Sequence, residues 1–225
     1  MMNAARLFRL PLLRQVLSHF LRSRGRSRPA TMFDVGPMAW ADSHGAEANG
    51  HLGAGAIYFG LAYALKARTC VCLGSGAGFV PLLMLAAQRQ LVSEGILRGT
   101  DVTLVDADIG IWGRPIYGSG KDIDPDLKLV RQLTSAAAAQ FTGIDFLHVD
   151  ADHSYEGVKA DLESYFPRMS SHWAITVHDT DNPGAIRVGL PLGAWAAASD
   201  FSRERGIPIM HFRVGCGTAL LMPAR

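Results

Sequence analysis

An alternation constrains this chain more than any other feature. From about residue 54 onward, short apolar runs of strand character trade places with longer segments at helical spacing. GAGAIYFGLAYALK predicts a helix, and TCVCLG a short buried strand that ends in the loop GSGAG. VPLLMLAAQRQL predicts a second helix, with Pro81 at a tolerated first-turn position. DVTLVDAD reads as the next strand, WGRPIYGSGKDIDPD as a polar loop, LKLVRQL as a strand and SAAAAQF as an Ala-rich helix. IDFLHV and WAITVHD supply two further strands around the helix SYEGVKADLESYF. Near-continuous apolar strands separated by helices predict an α/β fold, a doubly wound and mostly parallel sheet covered on both faces. The closing IPIMHFRVGCGTALLMP, two apolar runs about a Gly-Cys-Gly centre, predicts a C-terminal hairpin that puts an antiparallel strand into that sheet.

The length of 225 residues suits one globular domain, read here as residues 51–225, preceded by a distinct segment over 1–50. The formal charge of +2 hides an asymmetry: residues 1–28 hold seven arginines (Arg6, Arg9, Arg14, Arg22, Arg24, Arg26, Arg28) and no acid. Of the 22 basic residues 15 are then left against all 20 acids, so the rest of the chain carries −5. The basic segment reads as an amphipathic helix, with Leu12, Val16, Leu17, Phe20 and Leu21 on one stripe. Packing on its own domain or on a second subunit is the plainer expectation, with residues 4–22 the dimer or surface element. Weak membrane-surface association and an organellar presequence stay open. Residues 23–50 and ADSHGAEANGHLGAG, with His44, Glu47 and His51, read as a lid-like loop.

No run approaches the ~18 consecutive apolar residues of a membrane span. Cys70, Cys72 and Cys216 are too few for a disulfide framework and lie in apolar sequence, so buried free thiols in a cytoplasmic setting are expected. No basic patch accompanies the polar motifs, which disfavours a nucleic-acid partner.

VCLGSGAGF sets Gly74, Gly76 and Gly78 after a strand and before a helix, a turn that brings backbone N–H groups to a ligand at a helix N-terminus. Phe79 stands where a nicotinamide fingerprint needs Gly or Ala, so a nicotinamide oxidoreductase is the weaker reading. One crossover later the strand VTLVDAD ends in Asp106 and Asp108. Asp106, first past the apolar run, is placed to accept hydrogen bonds from both hydroxyls of a ribose; a solvated strand end is the plainer alternative.

With LGSGAG, the strand-end Asp106, the motif FLHVDADHSYEG, the strand-end HDT and the terminal hairpin, residues 54–222 resemble the class I S-adenosylmethionine-dependent methyltransferases. The resemblance implies a Rossmann-like sheet, with S-adenosyl-L-methionine held by Gly74, Ser75, Gly76, Gly78 and Asp106 and its methionine end near Asp150. It also sets Thr134 or Ser135 near the adenine. Cys72 departs from the pattern, since many members carry an acid there. Within the class, HVDADHSYEGVKADLE and TVHDT are similar to small-molecule O-methyltransferases of the sugar, macrolide and, more distantly, catechol and caffeoyl-coenzyme A types. This implies a small hydroxylated acceptor and a divalent metal, Mg2+ or Mn2+, held by Asp150, His178 and Asp179. His153 stands where the caffeoyl type has lysine.

These residue types suit methyl transfer to oxygen. The acceptor hydroxyl must be held in line with the sulfonium carbon and must lose its proton, which an imidazole takes near neutral pH and a cation loosens. His153 is the candidate base. Asp150 and Asp179 suit a hard cation better than His178 does, which leaves His178 open as a second base with no metal. Structural roles compete for the neighbours: Asp152 or Ser154 as helix cap, Glu156 in the first turn, and Tyr155, Val158, Leu162 and Phe166 as a buried stripe. His148, Tyr165 and Trp173 read as core. DTDNPGAIRVGLPLGAW reads as a loop entering a helix at the mouth of the site. A non-catalytic S-adenosylmethionine-binding module remains the second alternative.

Overall fold

The computed structural model describes residues 55–74, 79–107, 110–111, 114–115, 124–181, 193–213 and 215–224. The segment 1–50, with its basic stripe and the lid residues His44 and Glu47, lies outside them, as do His51, Ser75, Gly76, Gly78 and Asp108.

Helix α1 (Gly55–Ala64) leads to β1 (Cys70–Leu73), α2 (Phe79–Ser93) and β2 (Val102–Val105). A two-residue ladder pairs β3 (Gly110–Ile111), just before the segment read as a polar loop, with β4 (Arg114–Pro115) inside it. Then come β5 (Leu127–Val130), a single helical turn α3 (Thr134–Ala137), β6 (Ile144–Val149), α4 (Tyr155–Tyr165) and β7 (Met169–His178). Helix α5 (Ala194–Arg205) and the strands β8 (Ile209–Phe212) and β9 (Thr218–Leu221) close the chain.

The main sheet runs β5-β2-β1-β6-β7-β9-β8. Its first five strands are parallel, and β9 is antiparallel to both β7 and β8, the expected doubly wound sheet with a terminal hairpin. The chain moves outward from β1 to β5 and resumes on the other side of β1, so the order reverses between β1 and β6. Ligands of open α/β sheets bind at the carboxyl ends of strands at such a reversal. Register carries the point to single residues: Leu73 is level with Val105 and Val149, and Val149 with Val177. Gly74, Asp106, Asp150 and His178 therefore leave the sheet along one edge.

Each face has its own core. On one, Tyr58, Leu83, Met84, Leu104 and Phe146 pack α1 and α2 against the sheet; on the other, Leu73, Leu147, Val158, Leu162 and Phe201 do the same for α4 and α5. Each such side chain stabilises the fold by about 1.5–3 kcal/mol relative to exposure. The three cysteines are free and buried, and Trp173 and Tyr165 are core residues.

Two local expectations are revised. SAAAAQF forms one α turn that tightens into a 3-10 turn over Ala138–Gln140, because it buries only the small Ala137 and Ala138, and short helices need tertiary packing. In α4 the stripe is Val158, Asp161, Leu162 and Tyr165, while Tyr155 and Phe166 are only half-buried. Tyr155 instead reaches sideways, its hydroxyl donating to Asp200 at 3.0 Å.

Asp161 is a charge on a buried stripe. Its Oδ1 accepts from the Thr134 hydroxyl while its Oδ2 is buried without a hydrogen-bond partner. Burial pushes its carboxyl up to about 6, with Asp152 adding to the rise and the Thr134 hydrogen bond opposing it. A carboxyl whose folded value is raised favours folding while protonated: its contribution is complete below about pH 4 and is lost as pH rises through about 6. Asp161→Asn is expected to flatten this decline and to gain about 2 kcal/mol at pH 7.5. Urea unfolding of both proteins from pH 4 to 8 measures it.

Candidate active site

The site begins where β1 stops. Gly74 has φ +61°, and a Cβ on it would lie 2.5 Å from the Asp150 carbonyl oxygen and 2.6 Å from Ala151 Cα. Its N–H donates to Val105 O at 2.8 Å, and the Asp150 N–H donates to Leu73 O at 2.8 Å. Only a residue without a side chain lets β1 end this close to β6 in this conformation. Next to it, the Asp106 N–H donates to Val130 O at 3.0 Å, which leaves the half-buried Asp106 at the β2 end of the same edge. Beneath the turn, the buried Cys72 thiol donates to Gly74 O at 3.0 Å. Burial and the nearby Asp150 and Asp106 push that thiol far up, so Cys72 is a neutral support beneath the turn.

Four side chains meet beyond β6 and β7. His178 Nδ1 donates to Asp150 Oδ1 at 3.0 Å and lies 3.4 Å from Asp179 Oδ1. His153 spans the two carboxylates, with Nδ1 3.0 Å from Asp179 Oδ2 and Nε2 3.3 Å from Asp150 Oδ1. His178 and Asp179 are buried, whereas the His153 side chain is 36% exposed. Asp179 is a non-glycine residue at φ +54°. That conformation costs about 1–3 kcal/mol and persists where surroundings enforce it, as they do in active sites. Here it follows the strand directly and accompanies the approach of Asp179 to His153.

The electrostatics follow from the packing. Burial works against ionisation of Asp150, yet His178, His148 and His153 outweigh it and hold its carboxyl well below the usual carboxylate range. Burial also disfavours a charged His153, and Asp150 with Asp179 reverses the effect, so this imidazole holds its proton above the ordinary histidine range. Backbone contacts hold the loop that carries the ring. The His153 carbonyl accepts from Gly193 N–H at 2.9 Å, and a Cβ on Gly193 would fall 2.0 Å from Tyr155 N, so the start of α5 is pressed onto the loop that carries His153.

The helix-cap reading holds for Ser154, whose hydroxyl accepts from Gly157 N–H at 3.0 Å, while Asp152 accepts from Ser154 N–H at 2.9 Å and does not join the cluster. His148 is buried and paired through Nδ1 with Thr176 Oγ1 at 2.8 Å, as a core histidine should be. It also has a neighbour that sequence reasoning missed, for its Nε2, with no hydrogen-bond partner, lies 3.8 Å from Asp150 Oδ2. The two-residue strand period, which sets His148 and Asp150 on one face, was the available signal. Thr134 is turned toward α4, its hydroxyl on Asp161 and its carbonyl accepting from the Tyr165 hydroxyl, while Ser135 is exposed beside it.

For a cation, the donors that converge among the described residues are Asp150, His153 and Asp179, one ligand atom each within 4.8 Å of one another. The expected set had His178 in place of His153; here the Nδ1 of His178 is occupied in bridging the carboxylates. Two carboxylate oxygens and an imidazole, with His153 Nε2 buried and lacking a hydrogen-bond partner, fit a divalent ion of intermediate softness such as Mn2+.

Residues 71–180 match a family model described as a methyltransferase domain. An uncharacterised protein, y4gI, of Sinorhizobium fredii is 30% identical over 164 residues, which are 68% of this chain and 18% of that protein. The chain thus spans less than a fifth of the curated relative it matches. Among solved structures, the S-adenosylhomocysteine-bound Podospora anserina methyltransferase PaMTH1 aligns with TM-score 0.57 and 12% identity, over 96% of this chain and 97% of that one. A Staphylococcus aureus protein provisionally described as a caffeoyl-CoA O-methyltransferase aligns with TM-score 0.59 and 11% identity, over 95% and 100%. At such identities these two structures share the fold.

The tight β1 to β6 approach is open to a direct test. Gly74→Ala adds a Cβ inside contact distance of backbone in a left-handed conformation, and is expected to destabilise the protein by more than about 2 kcal/mol. Thermal unfolding of the variant measures it, and a melting temperature within 2 °C of the parent, roughly the width of measurement, would contradict the packing described.

Proposed function

We propose that this chain, whose residues 71–180 match a methyltransferase-domain model, is a class I S-adenosylmethionine-dependent methyltransferase that transfers the methyl group to a hydroxyl of a small acceptor of the sugar or natural-product type, in the cytoplasm and with no nucleic-acid partner. The observation that carries the oxygen-acceptor reading is His153, a partly exposed imidazole held between Asp150 and Asp179 at the point where the sheet order reverses.

In this reading the cofactor lies along the β2 to β6 edge. Asp106 accepts from the ribose hydroxyls, the glycine loop with Ser75 faces the cofactor backbone, Ser135 borders the adenine, and Asp150 stands beside the methionine end. The acceptor approaches from the β7 side. Its oxygen attacks the methyl carbon in line with the C–S bond, the new C–O bond forms as the C–S electron pair returns to sulfur, and the hydroxyl proton passes to Nε2 of His153. The neutral form of that imidazole takes the proton, and its share grows as pH rises past the raised pKa. Asp179 orients that imidazole through Nδ1 and offsets the charge it gains, while His178 fixes the Asp150 carboxylate.

A second reading rests on the same residues. A divalent ion held by Asp150, His153 and Asp179 would orient the acceptor hydroxyl and lower its pKa, and His153 would then be a ligand instead of the base.

Calorimetry is expected to give micromolar binding of S-adenosylhomocysteine and none of NAD, with Asp106→Ala weakening the former about tenfold or more. Binding of NAD alone would return the chain to the oxidoreductase reading. Cofactor binding without methyl transfer to any hydroxylated acceptor would leave a non-catalytic module.

His153→Gln is expected to lower turnover by about 10²- to 10⁴-fold, with S-adenosylhomocysteine affinity changed less than about twofold. Labelled methyl transfer before and after EDTA separates the two roles: activity that survives chelation makes His153 the base, and activity restored by added Mn2+ makes it a ligand.

A further inference from the structure

Trp195 is a large aromatic residue that the core does not use. It is the second residue of α5, where Ala194, Ala197 and Ala198 are buried against the sheet, while Trp195, like Ala196, is exposed, at 37%. Its indole is nevertheless held in place. It lies flat on the His211 ring, with centroids 4.0 Å apart and planes 14° from parallel.

His211 is itself fixed, with Nε2 3.0 Å from the hydroxyl oxygen of Thr180, the residue after Asp179. On the other side, Gly193, two residues before Trp195, donates its N–H to the His153 carbonyl. The stacked pair is thus joined to the candidate base and to the neighbour of one of its partners, through one backbone bond to His153 and one side-chain contact to the residue next to Asp179. An oriented aromatic face left in water beside convergent polar groups is the composition of a ligand wall.

We infer that the stacked Trp195–His211 pair is the wall against which the ring of the hydroxylated acceptor lies, and that it makes the site select rings over open chains. This rests on the methyl-transfer reading for what happens to the ring, but not for its binding. Val177, Ala219 and His211 are level across β7, β9 and β8. Strands lie about 4.8 Å apart, so His211 stands roughly 10 Å from β7 and 14 Å from β6, which carries Asp150. A one- or two-ring acceptor spans that interval, with one hydroxyl at Asp150 and His153 and a ring face on the indole. An open-chain polyol offers no such face and loses more rotational freedom on binding. The Arg213 to Asp181 ion pair, at 2.8 Å, adds a charged edge to the outer end.

The test uses three probes on the full chain: methyl β-D-glucopyranoside, 3,4-dihydroxybenzoate and D-mannitol. Saturation-transfer NMR, with and without S-adenosylhomocysteine, is expected to show binding of at least one ring probe and none of mannitol. Trp195→Ala should weaken the ring probe about tenfold and Trp195→Phe about threefold or less, with S-adenosylhomocysteine affinity unchanged. Where the probe is also methylated, KM should rise by a similar factor while kcat changes less than about twofold.

The wall is overturned if no ring probe binds, if mannitol binds as well as the rings, or if Trp195→Ala binds the ring like the parent. Failure of S-adenosylhomocysteine to bind overturns methyl transfer alone, since ring binding still decides the wall. Because Trp195 is partly exposed, both variants should fold, which circular dichroism and a melting temperature near the parent's verify.

Discussion

Everything in this molecule that bears on function depends on how closely β1 and β6 end together. The Gly74 turn is pressed against the Asp150–Ala151 backbone, and the Asp150 N–H donates to Leu73 O. That contact lies where the strand order reverses, the one place in such a sheet where two neighbouring strand ends send their loops to opposite faces and a crevice opens between them. A side chain at Gly74 would push Asp150 away and separate the glycine loop from the acid and imidazole cluster. The backbone contact therefore sets the distance between the two halves of the site before any charged group acts.

Within the cluster, position has an electrostatic consequence. A buried carboxylate is costly unless paired, and Asp150 is surrounded by His148, His153 and His178. The imidazoles in turn need acceptors, which Asp179 supplies to His153 and Thr176 to His148. The arrangement concentrates proton-holding groups at one strand edge, with His153 the most exposed of them. The strained φ of Asp179 belongs to the same device, since the residue leaves its strand at the level of His178 and yet meets the loop after β6.

Much of this was legible in the chain. Apolar strands separated by helical segments left few arrangements other than a doubly wound sheet, because buried backbone groups must pair and parallel strands need crossovers. Gly74, Asp106, Asp150, His178 and Asp179 could be singled out because each stands where an apolar strand gives way to polar sequence, and strands of one parallel sheet end together. Ser154 could be read as a cap from its place ahead of an amphipathic run. SAAAAQF reads as a helix yet forms only an α turn and a 3-10 turn, because alanine propensity counts for little when only two small side chains find a surface. His148 reads as a core residue and is one, but a single apolar context does not disclose which of its atoms faces a neighbouring carboxylate.

The sequence by itself determined the sheet, its antiparallel ending and the polar residues at its carboxyl edge, since period, apolar content and turn residues are local properties of the chain. Tertiary structure alone decided which of those residues meet. That His153 lies between Asp150 and Asp179 while His178 bridges them, and that Trp195 and His211 stack beside Thr180, depends on contacts between segments 16 to 31 positions apart. Such contacts arise from register, strand order and the packing of α5 on the loop after β6, and no local pattern encodes the distance between two side chains brought together by three separate strands.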